Sequence, residues 1–177
     1  MSNEAVSIAS LFRGWEFLQG QLTGLVEDAT PEQLALRSSA AQWPAWATLS
    51  HLSGARVYWL CTVFGEPGKE RTPFPGAGVE PGWEDDLGHV RTAGELLYAL
   101  RSSWEVVQHC LARWTPAMLG DEFVRERDDG VRQIHTRQSV LFRILTHDAF
   151  HAGGISEVMG VHGIPAIDPW MALSRHL

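Results

Sequence analysis

The chain has 177 residues and a formal net charge of −7, with 14 basic residues against 21 acidic ones. It is long enough to bury a core without disulfides, and we expect one domain over residues 1–177. The negative charge and the scattered basic residues argue against nucleic acid as a partner, because phosphate binding needs clustered Lys and Arg. We expect a small-molecule substrate instead.

The cysteines and the lengths of the apolar runs indicate the cellular compartment in which the protein is expected. Cys61 and Cys110 lie in apolar helix-like stretches without a CxxC spacing, which favours buried thiols in a reducing environment over a disulfide. No apolar run approaches the roughly 18 residues of a membrane span, and the N-terminal MSNEAVSIASLFRGW lacks the pattern of a signal peptide. The expectation is a cytoplasmic protein with no membrane partner.

Two helices are predicted in the first third of the chain. Apolar residues recur every three or four positions over residues 4–29, and Thr30-Pro31 then ends this helix and starts a short helical turn. After Trp43-Pro44 a second helical pattern covers residues 45–64 and contains His51. Each pattern has one apolar face, so the two helices must pack against other elements.

A long crossover loop is predicted over residues 65–88. This stretch contains four prolines and six glycines, a density that argues against any long regular element. Loops of this length in compact domains are usually functional or disordered, and Phe74 and Trp83 supply apolar side chains with which the loop can fold over something. We therefore place the loop near the mouth of a site.

Two more helices are predicted in the second half. Thr92 and Glu95 form a capping-box pattern that opens a helix to about residue 113, and the last helix covers residues 136–160. The polar segment between them fits a short hairpin around Asp129-Gly130, although its alternation is brief. Four amphipathic helices with one long crossover predict an all-α four-helix bundle.

The last helix carries a pair of histidines that suggests a metal site. His147 and His151 are four residues apart, which is about 400° around a helix, so the two rings differ by only about 40° and can reach one ion. Burying each ring without a partner would cost roughly 2 kcal/mol or more. His51 is the best upstream candidate for a third ligand. Three neutral imidazoles would leave a divalent ion its full charge and an open coordination position.

Residues beside the pair have two possible roles each. Arg143 precedes His147 by one turn, so it is either a cation for a substrate carboxylate or part of a structural salt bridge. Asp148 lies about 100° away around the helix, which favours a solvent-facing side chain over a contact with another helix. Three aromatic residues near His51 are expected to pack in the core: Trp43, Trp46 and Tyr58.

With these motifs the chain resembles the DinB/YfiT-like family of bacterial four-helix-bundle metalloproteins. The resemblance rests on His51 in SHLSGARVYWL and on HDAFHAGGI, which contains His147 and His151. It extends over the order of helices and loops, including the Thr-Pro-Glu turn and the end of the last helix at Gly160. The sequence departs from the family at Gly154, where many relatives carry Gln or Glu.

The resemblance implies a metal-dependent activity. It implies that His51, His147 and His151 bind Ni²⁺, Zn²⁺ or Mn²⁺, often in a homodimer. Arg143 is our candidate for a catalytic cation, on the ground of its position one turn before His147. Family activities include transferases and isomerases that use a low-molecular-weight thiol (bacillithiol, mycothiol or glutathione), as well as hydrolases. The prediction is an enzyme that activates a small thiol or water at a three-histidine site.

Other interpretations remain open at this point. HDAFHAGGISE resembles the zinc-protease pattern HExxHxxGxxH, with Glu157 in the place of the third ligand, but Asp148 replaces the glutamate base and no sheet is predicted. Di-iron bundles need Glu-x-x-His pairs, which this sequence lacks. A non-catalytic, stress-associated bundle stapled by metal is the main alternative. It would need a fourth ligand, from Asp148, Glu157 or a loop histidine.

Overall fold

The computed structural model describes residues 6–74, 86–165, 167 and 168. Four long helices form the bundle, which confirms the predicted all-α fold. They are α1 (Arg13–Asp28), α3 (Ala45–Val57), α4 (Ala93–Arg113) and α5 (Arg137–Val161), with a one-turn helix α2 (Pro31–Leu34) between the first two. None of the helices in the described ranges is long and apolar enough to cross a membrane.

The first helix begins later than predicted. A 3₁₀ turn covers Ala9–Phe12, and the α-helical geometry starts at Arg13, while residues 1–5 lie outside the described part of the chain. The backbone N–H of Ile8 donates to the carbonyl of Trp114 at 3.0 Å, so the chain is tied to the end of α4 before α1 begins. This long-range bond fixes the tighter turn, and no local pattern predicts it.

Side-chain caps set the starts of three helices. The Thr92 hydroxyl accepts from the Glu95 N–H and the Glu95 carboxylate accepts from the Thr92 N–H, as predicted for α4. Thr30 caps α2 with Gln33 in the same way. Thr136 caps α5 with Ser139 rather than with an acid. These reciprocal bonds satisfy backbone donors that have no partner within the helix.

The last helix was predicted to end at Gly160, and in the structure it ends one residue later, at Val161. Its backbone closes in the motif typical of helix ends: the Gly163 N–H donates to the Gly160 carbonyl and the Ile164 N–H donates to the Met159 carbonyl. Gly163 has φ +75°, a backbone conformation that residues other than glycine rarely adopt. Gly163, and not Gly160, therefore ends α5.

The second predicted helix is not uniform. Its α-helical part α3 ends at Val57, and a π-helical turn continues it over Tyr58–Val63. The crossover then begins at Gly65 with φ +71°. A 3₁₀ turn at Lys69–Arg71 lies against α4, where the Tyr98 hydroxyl donates to the Arg71 carbonyl at 2.8 Å. Phe74 is buried, whereas Trp83 falls in residues 75–85, outside the described residues.

A β-hairpin joins α4 to α5, as the brief alternation suggested. Strands β1 (Glu122–Glu126) and β2 (Arg132–Thr136) pair antiparallel, with Phe123 opposite His135 and a turn at Gly130, where φ is +77°. The ring of Phe123 packs on Phe64 with centroids 4.2 Å apart, so one face of the hairpin lies on the bundle. The hairpin positions its inward side chains beside the π-helical turn.

The buried apolar residues form two clusters, one toward each end of the bundle, and the boundary between them lies at the same height on α1, α3 and α5. The change occurs between Trp15 and Leu18 on α1, between Leu52 and Val57 on α3, and between Ile144 and Ala152 on α5. Buried polar side chains occupy this level. We call them the polar layer: Gln19, Arg56, Ser103 and Asp148. Both cysteines are buried and free, as expected.

Candidate metal centre

Three histidines from two helices converge on one point. His51 on α3 faces His147 and His151, which lie one turn apart on α5. The Nε2 atom of His147 lies 3.0 Å from Nε2 of His51 and 3.1 Å from Nε2 of His151. Tetrahedral ligands at zinc–nitrogen distances of about 2.0–2.1 Å would be about 3.3 Å apart. Two of the three separations are therefore close to those that one ion requires, and all three donor atoms lie within 4.8 Å of one another.

The two histidines of α5 are in the protonation state that metal binding needs. Burial, followed by the neighbouring histidines, lowers the pKa of His147 to about 4, and burial together with His51 lowers the pKa of His151 to about 4. Both imidazoles are therefore neutral at pH 7 and hold a free lone pair. The buried Nδ1 of His147 has no hydrogen-bond partner within the described part of the chain. This atom can carry the proton while Nε2 binds an ion.

Asp148 is not solvent-facing, contrary to the prediction. Its side chain is 0% exposed and forms an ion pair with the equally buried Arg56 of α3, at 2.8 Å from Nη2 to Oδ2. The same oxygen accepts from Nε of Arg56 at 2.9 Å and from the indole N–H of Trp15 at 2.7 Å. Burial raises the pKa of the Asp148 carboxyl, and the Arg56 guanidinium and the Trp15 donor oppose that shift.

The polar layer connects all four long helices. Arg56 also donates from Nη1 to the side-chain oxygen of Gln19 at 2.8 Å, and to the hydroxyl of Ser103 at 3.4 Å. The amide of Gln19 donates to the carbonyl of Leu100 at 3.1 Å. Because Asp148 directly follows His147, this network fixes the rotation of α5 at the point where its two histidines face α3.

The burial of Asp148 shows that the inner face of α5 runs through Asp148 and not through His147 and His151. The buried positions follow steps of three or four residues: Val140, Ile144, Asp148, Ala152, Ile155 and Met159. His147 and His151 lie at the edge of this face and are half-buried. A sign of the buried partner was present in the sequence, because Arg56 is the lone charged residue between positions 45 and 64.

Two cavities flank the histidines. The large cavity, of about 560 Å³, is bordered by His51 and His151 and by the aromatic rings of Trp43 and Phe150. The small cavity, of about 230 Å³, is bordered by His51, His147, Tyr58, Trp59 and Arg143. The described residues of the crossover line neither cavity. The rest of the crossover, residues 75–85, lies outside the described residues, so the predicted position of the loop near the mouth of the site stays a prediction.

The aromatic residues near His51 differ from one another. Trp46 is buried in the core, as expected. Trp43 and Tyr58 are half-buried and line the cavities instead, and the Trp43 ring meets that of His51 edge to face at 5.4 Å between centroids. Tyr58 stands in the π-helical turn, a feature that is frequent at functional sites. Trp43 and Tyr58 are therefore not simply core residues, as the sequence predicted, but also form cavity walls.

Arg143 lies beside the histidines. Its guanidinium carbon is 4.6 Å from the centroid of Trp59, and the side chain lines the small cavity with His147. The salt bridge that the sequence left open is not found, because no carboxylate in the described ranges pairs with Arg143. The predicted role of Arg143, as a cation that binds a substrate carboxylate, stays a prediction.

The remaining histidines in the described ranges have other partners. His89 pairs with Asp86, His109 contacts Arg113, His135 packs on Trp59, and His162 donates to the Val158 carbonyl. Within the described residues, no fourth His, Cys, Asp or Glu joins the three-histidine group. Glu157 is exposed and lines the large cavity. Asp148, which occupies the position of the catalytic base in the zinc-protease pattern, is buried in an ion pair with Arg56.

Comparison with known proteins agrees with this architecture. A sequence model of the DinB superfamily matches residues 15–155, a range that includes all three histidines. The chain belongs to the DinB superfamily. A crystal structure of a DinB-like protein from Bacillus cereus ATCC 10987 is similar to it, with a TM-score of 0.59 at 15% identity, covering 92% of this chain and 97% of that chain. This likeness shows a shared DinB fold. No curated protein matches the sequence.

Proposed function

We propose that this DinB-superfamily protein is a metal-dependent enzyme. In this proposal His51, His147 and His151 bind one divalent ion, such as Ni²⁺, Zn²⁺ or Mn²⁺, and the enzyme activates a small thiol or water for attack on a small electrophilic substrate. The observation that carries it is the convergence of three imidazole nitrogens, two of which lie 3.0 and 3.1 Å from the third. When bound, such an ion supplies positive charge that lowers the pKa of a water or thiol to near neutrality.

The residues of the chain would hold, orient and admit the reactants. Neutral histidines leave the charge of the ion uncompensated, whereas carboxylate ligands would reduce it. Arg56 and Asp148 hold α3 and α5 together beside the ligands. The two cavities give access to the histidines from both sides, since His51 borders each of them. A site with open space on two sides suits a reaction between two small molecules.

A thiol used by this enzyme would come from solution. Burial raises the pKa of Cys61 to about 11, and burial also raises the pKa of Cys110 well above the ordinary range for a thiol. Neither side chain lines the two cavities. The proposal therefore includes a low-molecular-weight thiol as co-substrate. Cytoplasmic location and a homodimer stay predictions from the sequence.

The alternative proposal is a non-catalytic, stress-associated protein in which the ion joins α3 to α5. It is supported by the placement of His51 on one helix and of His147 and His151 on the other. A structural zinc site normally has four protein ligands. The two proposals therefore differ in whether a coordination position can exchange its occupant.

Cobalt substitution distinguishes the two proposals. Metal-free protein is loaded with one equivalent of Co²⁺, and its visible spectrum is followed during addition of a small neutral thiol and across pH from about 6 to 9. The catalytic proposal predicts a thiolate-to-cobalt band that saturates, and a pH-dependent change near neutrality. A spectrum that responds to neither thiol nor pH would leave only the structural alternative.

A further inference from the structure

The small cavity has a cationic wall that metal binding does not explain. Arg143 lines the cavity and lies over Trp59, while Arg125 of the hairpin approaches the same indole ring, with its guanidinium carbon 5.3 Å from the centroid. Arg125 also lies 5.4 Å from the ring of Tyr58, which borders the cavity too. Two guanidinium groups from different elements thus lie over one indole ring that borders the cavity of the candidate metal ligands.

Within the described part of the chain, neither of these two charges pairs with an acidic side chain. Arg125 donates to the Gln133 side chain at 3.2 Å, and Arg143 makes only its ring contact, so neither pairs with a carboxylate of the described residues. Some other arginines pair with acids, as when Arg113 and Arg137 both pair with Glu66, whereas the exposed Arg13 has no ion pair within the described residues. Arg143 is exposed and Arg125 is half-buried, and what distinguishes the two guanidinium groups is that both lie over Trp59, an indole that borders the cavity. Their nearness to His135 agrees with this, because burial and then these two charges lower its pKa.

Tyr58 adds a directed donor to this wall. Nε of Arg125 donates to the Tyr58 hydroxyl oxygen at 2.8 Å. The hydroxyl proton is therefore left to donate elsewhere, and no described residue accepts it. A phenol that accepts a hydrogen bond from a cation becomes a stronger donor itself. Tyr58 and Arg143 together offer an anion one O–H group and one guanidinium fork.

We propose that Arg143 and Tyr58, supported by Arg125, form a carboxylate subsite of the small cavity. The ligand is a small organic acid whose other end reaches the histidines, since the same cavity is bordered by His51 and His147. This inference rests on the proposed function, because it assigns the class of ligand that the metal site receives. A guanidinium binds a planar carboxylate through two parallel hydrogen bonds, which favours this anion over a spherical one.

The size of the cavity limits the ligand. Its volume of about 230 Å³ compares with roughly 30 Å³ for each water molecule in the liquid, so it holds an acid of several heavy atoms. The pair 3-mercaptopropionate and 3-mercapto-1-propanol meets this limit. Both have a thiol at one end and the same chain length, and they differ in the carboxylate at the other end.

The test compares the affinity of these two thiols for Co²⁺-loaded protein, measured from the thiolate-to-cobalt band. Wild-type protein should bind the acid at least about tenfold more tightly than the alcohol, as expected for a charge-assisted pair. Arg143→Met should reduce this preference to within about twofold, and Tyr58→Phe should reduce it several-fold. Arg13→Met is the matched control, since Arg13 is exposed on α1 and its loss changes the net charge equally. Its preference should equal that of wild type.

Each result has a separate meaning. Equal affinity for the two thiols in wild type, or a preference that persists in both Arg143→Met and Tyr58→Phe, overturns the subsite. Binding of the neutral alcohol in that case still supports an exchangeable metal position. Failure of both thiols to change the spectrum overturns the thiol reaction together with the subsite. Cobalt stoichiometry and circular dichroism of each variant verify that the fold and the metal site are intact.

Discussion

Arg56 on α3 and Asp148 on α5 form an ion pair at 2.8 Å in which both side chains are fully buried. Asp148 is the residue after His147, and Arg56 is five positions after His51 on its helix. The pair therefore holds the two helices that carry the three histidines at the level where the rings meet. Removing one partner would leave the other charge buried without compensation, which is costly.

Asp148→Asn is expected to lower the free energy of unfolding by about 3–5 kcal/mol, because Arg56 keeps its charge in an apolar surrounding. The measurement is urea denaturation of metal-free protein. The exposed pair of Arg101 with Glu27 provides a control, since Arg101→Met should change stability by less than about 1 kcal/mol. A loss below about 1 kcal/mol for Asp148→Asn would show that the buried pair does not hold the helices together.

Trp15→Phe tests the third donor to Asp148. The substitution removes the indole N–H that donates to Oδ2 at 2.7 Å and keeps an aromatic ring in the core. We expect a loss of about 1–3 kcal/mol beyond the effect of reduced volume. Trp46→Phe is the matched control, because Trp46 is buried in the other apolar cluster and its N–H reaches no described residue. Equal losses in the two variants would contradict a stabilising role for the hydrogen bond.

The stability of the metal-free protein should depend on pH through His147 and His151. Their pKa of about 4 in the folded state is below the ordinary value of 6.5. The folded state therefore binds fewer protons than the unfolded chain between these values, and protonation favours unfolding. Each ring would contribute at most about 2.6 kcal/mol over this range, and because both rings are only half-buried, stability should fall by roughly 2–5 kcal/mol as pH drops from about 6.5 to 4, and should level off above about 7. Chemical denaturation at each pH measures this.

The double variant His147→Gln/His151→Gln separates these two groups from other titrating residues. Glutamine is neutral at every pH, so the variant should lose the part of the slope that the two histidines contribute. The difference between the two curves is the quantity of interest. If the two proteins lose stability equally between pH 6.5 and 4, the histidines do not have lowered pKa values.

The cysteines should be inert in the native protein. Cys61 and Cys110 are buried, and burial raises the pKa of both thiols. An aromatic disulfide reagent at pH 8 should titrate no thiol in the native state and two per chain after unfolding in urea. A thiol that reacts at once in the native protein would provide an internal nucleophile and weaken the argument for an external one.

Periodicity and capping patterns predicted most of the fold. The apolar repeats located the four long helices, and Thr92 with Glu95 located the start of α4. The errors came from contacts between distant residues. The bond from Ile8 to Trp114 shortens α1, and the turn at Gly163 lets α5 pass Gly160. Local sequence contains no information about the first of these contacts.

The site was predicted in part. The spacing of His147 and His151 placed two rings on one side of α5, and the structure brings His51 to them. The surroundings were not predicted, because a charged residue such as Asp148 is expected outside until its partner is known. Arg56 and Trp15 come from other helices, and Arg125 comes from a hairpin whose packing the sequence does not specify. Tertiary pairing decided each of these positions.

Metal titration tests the central claim most directly. Protein purified without a histidine tag is stripped with a chelator and titrated with Zn²⁺ or Ni²⁺ in a calorimeter, with metal content verified by mass spectrometry. We expect one ion per chain and a loss of affinity of about 100-fold or more in His51→Ala, His147→Ala and His151→Ala. His162→Ala, in which an exposed histidine at the end of α5 is replaced, should bind as wild type does. A His147→Ala protein that binds one ion with wild-type affinity would contradict the three-histidine site.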